Sequence, residues 1–190
     1  MSAAGPRPDH ELMLAVRGGD LDCMGDLFAR HHRNLFGFMY KLTGSHVVAE
    51  DLAQTVFQRM LKYRHSYRDT GSFTAWMYHL ARRCAADNYR KAQAAPMGVD
   101  PAELCGHADA GPQAVDLITA REDQALVQAA LLQLDAESRA VLLLSRMHEL
   151  SFAEVAEVLG CSVGTARVRA HRALHMLRVR FFELQQSRPN

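Results

Sequence analysis

The segment Ser151–Arg180 constrains the fold more than any other, because it predicts two short helices joined by a tight turn. Ser151 and Glu154 have the spacing of a capping box, in which each satisfies a free backbone donor at a helix start. Gly160 can adopt the left-handed conformation that ends a helix, and Ser162 can cap the next one. Two helices joined so closely cross steeply, which presents the second to a DNA groove. The segment therefore predicts a helix-turn-helix.

The second helix of this motif has an apolar side and a basic side. Its apolar residues recur at helical spacing and are Ala166, Ala170, Ala173, Leu174 and Leu177. The other side carries Arg167, Val168, His171, Arg172 and His175. A packed C-terminal helix with a solvated basic face would show a similar pattern. The five arginines and absent acids between positions 165 and 180 favour DNA binding instead.

The bulk composition excludes several classes of protein. No apolar run approaches the length of a membrane span, and the N-terminus lacks the basic and apolar blocks of a signal peptide. The four cysteines are scattered without a CxxC pair, which favours free thiols in a reducing compartment. We therefore expect a cytoplasmic protein.

The net charge of +1 hides two basic regions. Residues 59–91 carry eight Lys or Arg against two acids, and residues 165–180 carry five arginines. Residues 92–124 carry one arginine against six acids. Two basic regions separated by an acidic stretch indicate two nucleic-acid surfaces on one chain.

Apolar residues recur at helical spacing along almost the whole chain, so we expect an all-α protein. The predicted helices are 10–17, 21–43, 46–64, 72–93, 121–133, 136–147, 152–159 and 163–183. The stretch 92–116 is rich in Ala, Gly, Pro and Asp and has little periodicity, which is typical of a flexible linker. We therefore predict two small helical domains, a helical bundle and a helix-turn-helix. The predicted divisions are an N-terminal segment with a short helix (1–20), the bundle (21–91), the linker (92–120), the helix-turn-helix domain (121–183) and a tail (184–190).

Aromatic and basic side chains alternate between residues 63 and 91. Basic groups can follow a phosphate backbone while aromatic rings stack on unpaired bases, so this mixture is typical of single-strand binding. The indole of Trp76 fits a base pocket and a hydrophobic core equally well. The polar side chains of His79, Arg82, Arg83 and Asp87 are better candidates for DNA contact, because they have no apolar face to bury. Upstream, Asp51, Gln54 and Gln58 form an exposed polar face. Many solvated helices have such a face, so by itself it does not indicate a binding partner.

Three segments together resemble the extracytoplasmic-function (ECF, group 4) sigma factors of bacterial RNA polymerase. They are LFARHHRNLFGFMYKLTGSHVVAEDLAQTVFQRML, SFTAWMYHLARRCAADNYRK and LLQLDAESRAVLLLSRMHELSFAEVAEVLGCSVGTARVRAHRALHML. The resemblance covers roughly residues 21–91 and 125–177. It implies an alternative sigma factor that binds core polymerase, recognises the minus-thirty-five and minus-ten promoter elements and promotes DNA opening. The two domains would be sigma regions 2 and 4.

The resemblance also implies a role for each surface. Asp51, Gln54 and Gln58 would dock on the clamp coiled coil of the polymerase, and region 4 would sit at its flap. The minus-ten element would be bound and melted by the loop Tyr67–Ser72 and the helix that follows, through Tyr67, Arg68, Trp76, His79, Arg82, Arg83, Asp87, Arg90 and Lys91. The minus-thirty-five element would be read by Arg167, Val168, His171 and Arg172, with Thr165, Arg169 and Arg178 on phosphates. Family members are usually restrained by an anti-sigma factor, which makes one a candidate partner here.

Two departures from the family pattern limit these assignments. Arg83 stands where the family usually has an asparagine, and Val168 stands where it often has a small polar residue. Valine can meet a thymine methyl group but cannot hydrogen-bond to a base edge. The preferred promoter sequence therefore does not follow from the resemblance.

Other functions have weaker support from the sequence. A stand-alone helix-turn-helix regulator would not need the aromatic and basic residues 63–91. An enzyme is not expected, because no HExxH, Walker A or nucleophile-elbow motif is present. Cys105 and His107 could be proposed as metal ligands, but two ligands in a linker make a weak site, and we expect no cofactor or metal. The acidic linker could run through the polymerase or keep the basic domains off DNA.

Overall fold

A computed structural model describes residues 7–69, 71–94, 115–148 and 150–187, with the backbone alone at 115–122. The helices are α1 (Asp9–Gly18), α2 (Cys23–Thr43), α3 (His46–Lys62), α4 (Phe73–Ala94), α5 (Val115–Leu132), α6 (Ala136–Leu142), α7 (Phe152–Leu159) and α8 (Val163–Gln186). A 3-10 turn covers Arg64–Ser66, and a wide π turn, Leu143–Met147, continues α6. These ranges contain no β-strand. The predicted all-α class is confirmed.

The N-terminal half is a bundle in which α2 packs on α1 and α3, and α3 packs on α4. Its buried side chains include Leu52, Val56 and Met60, which recur at helical spacing on α3. Gly44 has a φ of +79° and ends α2, while the Ser45 hydroxyl accepts a hydrogen bond from the backbone N–H of Val48. The break between the predicted helices 21–43 and 46–64 is therefore present.

The C-terminal half contains the predicted helix-turn-helix. The capping box of Ser151 and Glu154 is formed at the start of α7, and Gly160 ends that helix with a φ of +65°. The Ser162 hydroxyl accepts from the backbone N–H of Thr165 at the start of α8. On α8 the buried residues are Ala166, Ala170 and Ala173, whose small side chains let the helix approach α6 and α7 closely.

The ends of the helices differ from the prediction on both sides of the linker. Helix α4 runs to Ala94 and α5 begins at Val115, within the range assigned to the linker. Helix α8 continues to Gln186, into the predicted tail. All three extensions consist largely of residues that tolerate a helix, and composition alone does not mark their ends. The acidic residues 100, 103 and 109, together with Cys105 and His107, lie outside the described residues.

The two halves pack against each other around one continuous cluster of buried residues. Helix α4 packs on α7, and α2 packs on α5 and α6. The Arg139 side chain donates hydrogen bonds to the carbonyl oxygens of Leu131 at 2.9 Å and Leu134 at 2.8 Å, at the end of α5. It also donates to the carbonyl oxygen of Leu42, at the end of α2. Arg139 therefore joins the halves, which the sequence does not indicate.

Candidate nucleic-acid interface

The outer face of α8 presents most of the residues predicted to contact duplex DNA. Its exposed side chains are Thr165, Arg167, Val168, His171, Arg172 and Arg178. Val168 is 50% exposed, which is high for a valine in a helical domain. The buried alanines on the opposite side fix which face of α8 points outward. The result is a convex basic surface suited to a major groove.

Two arginines of α8 also contact the protein. The Arg167 guanidinium lies over the Phe152 ring, 5.8 Å from its centroid, which orients the side chain while leaving it exposed. Arg169, predicted to contact phosphate, is only partly exposed and forms an ion pair with Glu137 at 2.9 Å. The arrangement therefore directs Arg169 toward the start of α6.

The second basic surface lies on α4 and the loop before it. Arg68, Arg83, Arg90 and Lys91 are exposed, as the prediction requires. Asp87 is not a free carboxylate, because it forms ion pairs with Arg90 and, at 2.7 Å, with Arg59 on α3. The hydrogen bond from Arg59 lowers the pKa of Asp87 below its usual value. Asp87 thus ties α4 to α3 and holds the neighbouring arginines in place.

The structure places Tyr67 and Trp76 in the bundle rather than on an open surface. Tyr67 is 1% exposed, and its ring centroid lies 5.0 Å from that of Trp76 and 6.3 Å from that of Phe73. Burial raises the pKa of the Tyr67 hydroxyl, which has no hydrogen-bond partner among the described residues. Trp76 is half-buried at the edge of this cluster. A base pocket here would require Tyr67 to move.

His79 and Arg82 of α4 lie on the side that packs against the helix-turn-helix, and both are only partly exposed. Arg82 donates a hydrogen bond to the carbonyl oxygen of Val158 in α7 at 3.2 Å, and its other nitrogen lies 3.7 Å from Glu137. Burial lowers the pKa of His79, as do the charges of Arg83 and Arg82. The side of α4 that carries these two residues is therefore partly covered.

The residues predicted to dock on polymerase form an exposed row on α3. Asp51, Gln54 and Gln58 all face solvent, and the Gln54 amide donates to the Glu50 carboxylate at 3.3 Å. Val47, one turn earlier, is 69% exposed. Sequence reasoning missed this apolar residue because a single valine outside the buried side of α3 forms no pattern. A polar row beside an exposed valine is suited to contact with another protein.

Sequence reasoning also missed the residues where the halves meet. The Tyr78 hydroxyl lies 2.7 Å from Nδ1 of His148, and their rings are in contact. Burial, with a smaller contribution from Lys41, lowers the pKa of His148 to about 4. The imidazole is therefore neutral at pH 7. The sequence offers little indication of this pair, because Tyr78 lies within α4 and His148 follows the turn Leu143–Met147, far apart in the chain.

Comparison with known families decides between the remaining functions. Residues 27–95 match the model of Sigma-70 region 2, and residues 124–177 match that of Sigma-70 region 4. The RNA polymerase sigma factor CarQ of Myxococcus xanthus is 31% identical, over 91% of this chain and 97% of that protein. The ECF sigma factor SigL of Mycobacterium tuberculosis is also 31% identical, over 87% of this chain and 92% of that protein.

The chain belongs to the ECF sigma factor family. It is an alternative sigma factor that initiates transcription. A stand-alone regulator is disfavoured because such a protein would not contain a region-2 domain. The same fold occurs in CnrH, solved in complex with the cytosolic domain of CnrY (TM-score 0.70, 23% identity, 95% of this chain and 99% of that one).

The sigma factor RpoE of Bartonella quintana, solved with the anti-sigma factor NepR, also has this fold (TM-score 0.64, 22% identity, 86% of this chain and 98% of that one). In this ECF sigma factor, no described helix is long and apolar enough to cross a membrane. Within the described ranges, no group of three His, Cys, Asp or Glu side chains is placed to hold a metal ion.

Proposed function

We propose that this ECF sigma factor uses three surfaces in sequence. The α3 row of Asp51, Gln54 and Gln58 docks on the clamp coiled coil of core RNA polymerase, while the region-4 half sits at the flap. The exposed face of α8 then binds the minus-thirty-five element, and α4 with its preceding loop opens the minus-ten element. The protein works in the cytoplasm, and an anti-sigma factor is its candidate inhibitor.

One observation carries this proposal. Two basic surfaces lie on separate helices, and each falls within a match to a different sigma region. The α8 face has the shape and charge for duplex DNA, where phosphate contacts position the helix and base contacts specify the sequence. The α4 surface places exposed arginines around aromatic residues, the combination that binds unpaired strands.

Run-off transcription tests the proposal directly. Purified core polymerase from the source bacterium is combined with genomic fragments, including the region upstream of this gene, with and without the sigma factor. We expect discrete transcripts only when both proteins are present. Shifted DNA without transcripts, from an active core and a folded protein, would instead support a stand-alone regulator.

A charge reversal on α3 tests the docking surface. Asp51→Lys should remove transcripts and co-purification with core polymerase, because it places a positive charge in the docking row. Glu11→Lys makes the same change on the exposed side of α1 and is the matched control. Equal activity of the two variants would remove Asp51 from the docking surface.

A further inference from the structure

The first helix of the bundle is hydrogen-bonded to the loop before α4. Nη1 of Arg17, in the last turn of α1, donates to the backbone carbonyl oxygen of Tyr67 at 3.0 Å, across 50 positions of the chain. Helix α1 lies before residue 27, where the match to Sigma-70 region 2 begins, and it belongs to neither of the two predicted DNA surfaces. The three surfaces of the proposed function therefore leave this bond without a role.

Helix α1 is a fixed support for the Arg17 side chain. The apolar residues of its inner face are fully buried in the bundle: Leu12, Met13 and Val16. At the start of the helix, the Asp9 carboxylate accepts a hydrogen bond from Arg30 of α2 at 2.7 Å. A donor on a helix that is packed and paired in this way can hold a loop in one place.

The carbonyl that Arg17 binds belongs to the peptide group joining Tyr67 to Arg68. A peptide group is planar, so a bond that holds its oxygen also sets the direction in which the chain enters the next residue. Arg68 is exposed and is one of the residues predicted to contact minus-ten DNA. Arg17 therefore sets where the Arg68 side chain begins, although Arg17 itself lies on another helix.

The Tyr67 side chain alone does not anchor the loop as well. Its ring is 1% exposed, but its hydroxyl has no hydrogen-bond partner among the described residues, which offsets part of the gain from burying the ring. The other hydrogen bonds described for the segment 63–67 come from that segment or from the end of α3. Within the described part of the chain, Arg17 is thus the one donor to this segment from a distant helix.

We propose that Arg17 is a positioning residue of the minus-ten surface, which holds the Tyr67–Arg68 peptide so that the Arg68 guanidinium reaches the phosphates of the unpaired strand. The inference rests on the proposed function, because it assigns Arg68 to minus-ten DNA. At the other end of the loop, the Ser72 hydroxyl accepts a hydrogen bond from the backbone N–H of Ala75 at 3.4 Å and so caps α4. A loop held at both ends loses less conformational entropy when it binds DNA.

A double-mutant cycle tests whether Arg17 acts through Arg68. The rate constant of promoter opening by the holoenzyme is measured by stopped-flow fluorescence of 2-aminopurine in the minus-ten strand, on a promoter mapped by run-off transcription. Arg17→Ala should slow opening about fivefold, the factor for losing one hydrogen bond of ordinary net strength, and should leave closed-complex affinity unchanged. Arg68→Ala should slow opening by at least as much. Adding Arg17→Ala to Arg68→Ala should then slow it less than twofold further, because both changes remove the same contact.

Two results of this cycle would overturn the proposal. The first is a double variant that loses the full fivefold again, because Arg17 would then act independently of Arg68. The second is normal opening by Arg68→Ala. Both side chains are exposed, so we expect all of these variants to fold, and circular dichroism checks it.

Hydrogen exchange measures the anchor in the free protein, without DNA. The backbone N–H groups of Ser66 and Tyr67 donate within the turn at 2.8 and 3.2 Å. In Arg17→Ala these two amide hydrogens should exchange about fivefold faster, because the turn opens more often. Glu11→Ala is the matched control, since it truncates an exposed charged side chain of the same helix and should change neither exchange nor opening. Equal exchange in wild type and Arg17→Ala would refute the positioning role.

The inference and the proposed function fail in different ways. Wild-type protein that gives no transcripts with core polymerase overturns the proposed function, and the inference with it. Wild-type protein that opens the promoter no faster than Arg17→Ala leaves the proposed function standing and refutes the positioning role. Slow opening by Arg17→Ala, with faster exchange and a non-additive cycle, supports both.

Discussion

Among single residues, the exposed arginines of α8 differ in what they can specify. Arg172 lies on the exposed face in the first half of α8, where we predict contact with a base edge, and Arg178 lies farther along the helix, where we predict contact with phosphate. Arg172→Ala should cost about 1–3 kcal/mol of binding and relax preference at one base pair. Arg178→Ala should weaken all sequences alike and flatten the salt dependence. The affinity of each variant holoenzyme for promoters with altered minus-thirty-five elements, measured at several salt concentrations, gives the base preference and the salt dependence. The same pattern of affinities for Arg172→Ala and Arg178→Ala would contradict the assignment.

Trp76 separates a core role from a role in strand opening. Its ring packs on Tyr67 and Phe73, so Trp76→Ala should destabilise the protein by about 3 kcal/mol in either case. If the ring also supports the minus-ten pocket, the variant should form closed complexes normally but show weak permanganate reactivity in the bubble. The experiment is run at a temperature where circular dichroism shows the variant folded. Normal bubbles would leave Trp76 with the core role alone.

His148 should make stability depend on pH. Its pKa is about 4 in the folded protein, against an ordinary value of 6.5, because partial burial beside Tyr78 and the nearby charge of Lys41 disfavour the protonated form. The unfolded chain therefore gains a proton below pH 6.5 that the folded protein does not. Stability should fall as the pH drops toward 4, by about 2 kcal/mol between pH 7 and pH 5.

Urea unfolding of wild type and His148→Gln at both pH values tests this. Glutamine does not titrate, and the contributions of Asp87, Glu154 and other acids are common to both proteins. The wild type should lose about 2 kcal/mol more than the variant on acidification. Parallel losses would show that His148 is protonated in the folded state.

Among the secondary-structure elements, the turn between α7 and α8 rests on one glycine. Gly160 has a φ of +65°, so Gly160→Ala should destabilise the protein by about 1 kcal/mol through backbone strain. Gly164 lies within α8, and a Cβ there would meet nothing closer than 3.9 Å. Gly164→Ala should therefore stabilise the protein by about 0.5–1 kcal/mol. Thermal unfolding distinguishes them, and shifts in the same direction would contradict the turn geometry.

Elements whose signals are local were predictable from the sequence. The capping box at Ser151, the glycine stop at Gly160 and the restart at Ser45 depend on residues within a few positions of each other, and all three are present. The exposed side of α8 followed from the same kind of local pattern, the helical spacing of its alanines. The π turn at Leu143–Met147 was not predictable, because packing with other elements determines it and local helix propensity does not. The partial covering of His79 and Arg82 by α7 was not predictable from the sequence either, because it depends on a contact between distant helices.

At the scale of the whole molecule, the difference between prediction and structure is the contact between the halves. Tyr78 and His148 are 70 positions apart, and Arg139 reaches Leu42 across 97 positions. No pattern within one helix could indicate either pairing. A long linker and two separate charge regions predicted two small domains, and neither feature indicates that their buried residues form one cluster.

A shared core predicts that the halves unfold together. Trp76 is the only tryptophan and reports on the N-terminal half, whereas circular dichroism follows all helices. Urea curves from the two signals should have the same midpoint. Gly160→Ala, a change confined to the helix-turn-helix, should shift the Trp76 midpoint as far as the circular dichroism midpoint. Independent domains would leave the fluorescence curve of that variant unmoved, because Trp76 would then report only on the half that the substitution does not change.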